Sequence, residues 1–208
     1  MTEHAILLHG LWMRGFSLLP LARRLRNAGL DVETFDYSSV ARGPDAAVAA
    51  LLERARRAHA DRLHLVGHSL GGLVALTALA AAPDLPPGKV VCLGSPLAGS
   101  ALARSVAHFP GGRIVLGRSA GMLTKGIDGW HAKRPLGVIA GTVPFGLGVA
   151  VGPLSAPHDG TVAVAETEIA GMREHRTVSA THVGLLFSAE VADMTAAFLR
   201  TGHFGGTA

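Results

Sequence analysis

Charge is scarce in this chain. Asp, Glu, Lys and Arg make up 16% of its 208 residues, against about a quarter in an ordinary soluble domain. With 49% hydrophobic residues beside it, that scarcity excludes an intrinsically disordered chain, because so much apolar surface cannot all stay hydrated. Cysteine is nearly absent. Cys92 alone excludes an internal disulfide and fits a reducing compartment. It lies in the apolar run Val90-Val91-Cys92-Leu93 and reads as a core residue. A secretory pattern is missing too, since Met1–His4 leads straight into Ala5-Ile6-Leu7-Leu8; the expected location is the cytoplasm. No C-x-x-C pair, H-E-x-x-H run or phosphate-binding glycine spacing occurs, so no metal or other cofactor is expected.

Two long stretches carry no charge, Leu63–Pro83 and Pro135–His158. Each is long enough to span a membrane, which takes roughly 20 apolar residues. The second is broken by repeated Gly and Pro, so its backbone polar groups would go unpaired in lipid. The first is interrupted by Gly67-His68-Ser69 and Gly71-Gly72 and reads as strand, turn and helix. No membrane span is expected. The net charge of +4 raises nucleic-acid binding. Its arginines, however, are scattered singly or fall on helical stretches (Arg23, Arg24 and Arg26; Arg54, Arg56 and Arg57) beside apolar residues, the pattern of a solvated helix face. Nucleic acid is therefore not an expected partner.

Strand-like and helix-like runs alternate, which predicts one α/β domain over 1–208 with a mostly parallel sheet and helices on both faces. The predicted strands are Ala5–Leu8, Asp31–Tyr37, Leu63–Val66, Lys89–Leu93, Leu136–Ala140 and Arg176–Val178. Helices are expected over Phe16–Ala28, Asp45–Ala58, Leu70–Ala82, Ser100–Ala107 and Ser188–Leu199. Between Phe109 and Pro157, Gly and Pro dominate and an irregular excursion is predicted, apart from its one strand.

The chemistry centres on Gly67-His68-Ser69-Leu70-Gly71, a G-x-S-x-G. The pattern also occurs at Gly117-Arg118-Ser119-Ala120-Gly121, so context must decide. A nucleophile on a sharp turn needs a strand before it and a helix after it. Ser69 has both; Ser119 has the apolar Ile114-Val115-Leu116 before it but runs into Gly126 after it. A serine nucleophile needs a base and an orienting acid. Asp159 lies in a Gly/Pro loop, with Asp128 and Glu166 as rivals, Glu166 in a charged stretch that reads as exposed. His182 falls between a strand and the last helix; His158 is the rival base but precedes the acid. The turn His9-Gly10-Leu11 follows the first strand, and the N–H groups of Leu11 and Leu70 are the candidate oxyanion donors.

Taken together, Leu8-His9-Gly10, Gly67-His68-Ser69-Leu70-Gly71-Gly72, Asp159-Gly160-Thr161-Val162 and His182 resemble the α/β-hydrolase superfamily along the whole chain. The wording is similar to bacterial lipases and esterases and to the lipase group that includes GPI inositol-deacylases. The resemblance implies Ser69 as nucleophile, Asp159 as acid, His182 as base, and a minimal hydrolase without a large cap domain. One departure stands out: Asp159 follows Ala140 by nineteen residues, whereas the acid usually follows its strand closely. A carboxylic ester with an apolar acyl chain is the expected substrate; acyl transfer or thioester cleavage by the same triad is the alternative, and a non-catalytic binding protein on this fold a remoter one. Val143–Leu154, with Phe145, Leu147, Val149 and Val151, is expected to line an acyl pocket or form a small lid, or else to pack as core.

Overall fold

A computed structural model describes residues 2–146, 148 and 154–205. Its strands are β1 (Glu3–Leu8), β2 (Asp31–Phe35), β3 (Arg62–His68), β4 (Val90–Leu93), β5 (Leu136–Gly141) and β6 (Glu174–Val178). They form one parallel sheet in the order β2-β1-β3-β4-β5-β6. A strand buried on both faces has no polar side to present, which is why the central β3, β4 and β5 are rich in apolar residues, whereas the edge strands β2 and β6 keep charged and polar ones. Alternate residues serve opposite faces: Ile6 and Leu8 join one core with Leu65, Cys92 and Val138, whereas Ala5 and Leu7 join the other with Val66, Leu93 and Ile139.

Helices α2 (Gly43–Arg57) and α3 (Leu70–Ala81) cover the first face; α1 (Leu19–Asn27) and the C-terminal helix cover the second. Helix α1 shows how the pattern works: Leu21, Ala22 and Leu25 are buried, while Arg23, Arg24 and Arg26 project outward. Arg26 also donates to the Val32 carbonyl at 2.6 Å and so ties the helix to β2. Helix α3 is buried along nearly all of its length, which accounts for the uncharged stretch that includes it. Among the described residues no helix is long and apolar enough to cross a membrane.

The excursion after β4 is more ordered than its composition predicts. Helix α4 (Ala101–His108) stands where a helix is expected, and beyond Phe109 come α5 (Gly112–Leu116) and α6 (Ala120–Lys125), followed by β5; the C-terminal helix, α7, spans Ala189–Thr201. Gly111, Gly117 and Gly126 have positive φ and stand at the ends of α5 and α6, so these glycines bound short helices instead of dispersing them. The Ile114-Val115-Leu116 run ahead of Ser119 is therefore helix, not strand.

The chain runs from β1 to β2 in one direction and then to β3 on the other side of β1. That reversal opens a crevice at the carboxyl ends of β1 and β3, where open α/β sheets hold their ligands. His9-Gly10 leaves β1 there, and Ser69 leaves β3.

Candidate active site

Ser69 joins β3 to α3 with φ 55° and ψ −123°. A non-glycine residue in such a region costs of order 1–3 kcal/mol, so its surroundings must hold it. They do so by close packing. A Cβ on Gly71 would lie 2.5 Å from the Leu8 carbonyl oxygen, and one on Gly67 2.5 Å from the Gly71 carbonyl carbon. Strand, turn and helix can approach this closely only without those side chains. The Ser69 N–H continues the sheet by donating to Leu93 O at 2.9 Å.

Asp159 and His182 come together beside β4 and β5. The His182 Nδ1–Asp159 Oδ2 distance is 2.7 Å, and the pair is buried. The other carboxylate oxygen accepts N–H bonds from Thr161 at 2.9 Å and Val162 at 2.7 Å, and the His182 N–H donates to the Asp159 carbonyl at 2.9 Å. Asp159 is thus fixed as an acceptor toward Nδ1–H, which leaves the His182 Nε2 lone pair free. Gly94, at the end of β4 with φ 54°, forms the floor: a Cβ there would stand 3.0 Å from Asp159 Oδ2 and 3.1 Å from His182 Nδ1. The nineteen-residue separation from Ala140 is no obstacle, because the chain returns to the end of β5; a Cβ on Gly141 would lie 2.9 Å from that of Asp159.

His68, adjacent to the nucleophile candidate, links the two halves. Its Nε2–H donates to the His182 carbonyl at 2.9 Å, and its ring lies tilted against that of His182 at 4.6 Å. Burial pushes its pKa down to about 3. It remains neutral, with Nδ1 unpartnered. Gly10 faces His68 and Ser69 together, since a Cβ on it would be 3.3 Å from His68 Nδ1 and 3.0 Å from Ser69 Cβ.

The turn after β1 is held by His9. Its Nδ1–H donates to Gly10 O at 2.9 Å, its Nε2 accepts from the Tyr37 N–H at 3.3 Å, and the Tyr37 hydroxyl donates to His9 O at 2.6 Å. The two rings stack at 4.3 Å. Burial lowers the His9 pKa, in keeping with the neutral tautomer these bonds require. Trp12 N–H donates to Ser39 Oγ at 3.2 Å, whereas the Leu11 N–H has no acceptor among the described residues. Leu70, first residue of α3, has an N–H without an intrahelical carbonyl.

The rivals are committed elsewhere. Ser119 is fully buried and donates to Ser39 O at 2.6 Å. His158 Nδ1 accepts from Gly160 N–H at 3.1 Å. Glu166, expected to be exposed, is buried: its carboxylate accepts from the N–H of Ala101, at the start of α4, and from Ala163 N–H at 3.0 Å. Asp128 is exposed and carries no described bond to the site. Of the apolar segment before Asp159, Val143 and Leu154 are half-buried and Phe145 is 77% exposed, while Leu147, Val149 and Val151 lie outside the described residues. A cavity of about 870 Å³ lies at the amino ends of β3, β4 and β5, lined by Arg62, Lys89, Trp130 and Pro135. It is on the far edge of the sheet from Ser69 and is not its substrate pocket.

A strained strand-to-helix turn on a parallel sheet, at a topological switch point, defines the hydrolase class of α/β folds. The chain belongs to the alpha/beta hydrolase family, whose sequence profile matches residues 5–204. A search of curated proteins gives no match. Among solved structures, a Bacillus licheniformis lipase in propeptide form superposes over 100% of this chain with a TM-score of 0.81 at 18% identity. This chain spans about half of that lipase, 52% of its length. A lipase-esterase related protein from Clostridium acetobutylicum gives a TM-score of 0.68 at 14% identity, covering 94% of each chain. The type II thioesterase of the borrelidin biosynthetic cluster gives 0.65 at 16% identity, over 97% of this chain and 92% of its own. At these identities the likeness is one of fold.

Proposed function

We propose that the protein is a serine hydrolase of carboxylic esters with apolar acyl chains. The observation that carries this reading is the buried Asp159–His182 bond beside the strained Ser69 turn. In the reaction, Ser69 Oγ attacks the ester carbonyl as its proton passes to His182 Nε2, and an Oγ–C bond forms. The tetrahedral oxyanion takes hydrogen bonds from the N–H groups of Leu11 and Leu70. The C–O bond to the alcohol then breaks, with the His182 proton going to the leaving oxygen. Water, deprotonated by His182, attacks the acyl-enzyme and releases the acid and free Ser69. Asp159 keeps Nδ1 protonated and stabilises the imidazolium at each stage. No cofactor enters.

An apolar acyl group is supported by exposed apolar side chains on the segments that carry the site: Trp12 in the turn after β1, Phe145 after β5 and Val183 next to His182. A second reading, thioester cleavage by the same residues, is favoured by the full-length superposition on the type II thioesterase. A fluorophosphonate probe tests the nucleophile: labelling is expected at Ser69 and lost in Ser69→Ala. Labelling that survives this change, or maps to Ser119, overturns the assignment. Esters and thioesters of matched, graded acyl length then separate the two substrate classes.

A further inference from the structure

Several large apolar side chains stand exposed among the described residues. Trp12 and Phe16 follow β1, Ile114 and Val115 lie between β4 and β5, Phe145 follows β5, and Phe187 follows β6. Trp12 lies just beyond the His9-Gly10 turn that faces Ser69, and Val115 is bonded to Trp12, which puts α5 beside the site. Ile114 is the extreme case, 80% exposed. Its helix is held against the turns after β1 and β2: Trp12 Nε1–H donates to Val115 O at 2.8 Å, and just beyond the helix Arg118 N–H donates to Val40 O at 3.1 Å. The exposed apolar tips thus belong to a positioned element beside the site.

Charge on this element has one sign. No Asp or Glu occurs between Asp84 and Asp128, whereas α4–α6 and their connections carry Arg104, Arg113, Arg118 and Lys125, all exposed. Neither Arg113 nor Arg118 pairs with a carboxylate among the described residues. Apolar side chains set among unpaired cations suit a surface that is anionic outside and apolar beneath. A nucleic acid or acidic peptide would satisfy the arginines but leave Ile114 and Val115 in water.

We infer that this face, centred on α5, docks on an anionic lipid surface, with Ile114 and Val115 entering the acyl boundary and Arg113 and Arg118 meeting the headgroups. The docking stands apart from the Ser69 chemistry. Its catalytic consequence, transfer of an ester from the lipid layer to Ser69, rests on the function proposed above.

Flotation with vesicles of phosphatidylcholine, with and without a quarter of phosphatidylglycerol, tests the docking. Binding is expected only with the anionic lipid and is expected to weaken on addition of salt. Ile114→Ser and Arg113→Glu are each expected to weaken it about tenfold or more. Both side chains are exposed, so the thermal melt and turnover of a short water-soluble ester should be unchanged, while hydrolysis of a vesicle-borne ester falls. Ser69→Ala should bind like the parent. Equal binding to both vesicle types, no binding, or variants that bind like the parent overturn the inference. So does a dimer in sedimentation that Ile114→Ser dissociates without any vesicle binding, which assigns the face to a second copy. Vesicle binding with no ester turnover leaves the docking intact and removes the proposed chemistry.

Discussion

Asp159 uses its two carboxylate oxygens differently: one is held by the N–H groups of Thr161 and Val162, the other by His182 Nδ1. In Asp159→Asn, the side-chain carbonyl is expected to keep the two N–H bonds and turn its amide NH2 toward His182. The imidazole then moves its proton to Nε2, and the lone pair needed by Ser69 is lost. A fall in kcat of about 10³- to 10⁴-fold is expected, with little change in melting temperature, measured on a soluble ester. An active Asp159→Asn enzyme would remove Asp159 from the acid role. Ser69, Asp159 and His182 could be chosen as candidates from the sequence because serine hydrolysis, the reaction proposed here, demands these residue types in this chain order. Gly94 and His68 could not. Gly94 matters for the space it leaves beside Asp159 and His182, and His68 for a bond to a carbonyl 114 residues away. Neither relation has a local signature.

Elements differ in the same way. The central strands were legible because burial on both faces favours apolar runs, and the longer helices because one stripe must stay apolar. Helices α5 and α6, of 5 and 6 residues, are too short to display a 3.6-residue period, and their terminal glycines resemble loop composition. Tertiary bonds hold the neighbouring α4: the Glu166 carboxylate takes the Ala101 N–H, Leu123 O the Ser100 N–H, and Thr124 O the Arg104 guanidinium. In Glu166→Ala the N–H groups of Ala101 and Ala163 lose a buried charged acceptor. A loss of about 2–3 kcal/mol is expected, read from urea denaturation; unchanged stability would deny the carboxylate this role. The turn after β1 makes a parallel case. Tyr37→Phe removes one hydroxyl from the His9 carbonyl, at a cost of about 1 kcal/mol. If that turn supplies the Leu11 N–H to an oxyanion, kcat should fall more than KM rises. A change confined to KM would argue against it.

At the scale of the whole molecule, three buried histidines make the fold sensitive to acid. His9, His64 and His68 each have their pKa lowered, chiefly by burial, to about 4 for His64 and about 3 for His68. For His64, the charges of Lys89, Arg62 and Arg134 add to burial and outweigh Glu3, while its neutral Nδ1 accepts the Lys89 N–H at 3.1 Å. The unfolded chain protonates these rings near the ordinary value of 6.5, but the folded chain resists. Between those pH values the unfolded state binds more protons, so stability is full above about pH 6.5 and declines as the pH falls toward 4. His64 and His68 each contribute a slope approaching about 1.4 kcal/mol per pH unit within their windows. His64→Gln should keep an acceptor for the Lys89 N–H while removing the titrating ring. Urea unfolding at pH 7, 6, 5 and 4.5 should then show a variant whose stability falls less steeply than the parent's, by close to one proton. Carboxylates titrating near pH 4 contribute to both proteins and cancel in the comparison. Parallel curves would mean that His64 takes up its proton as readily in the folded sheet as in water, which its burial against three cations opposes.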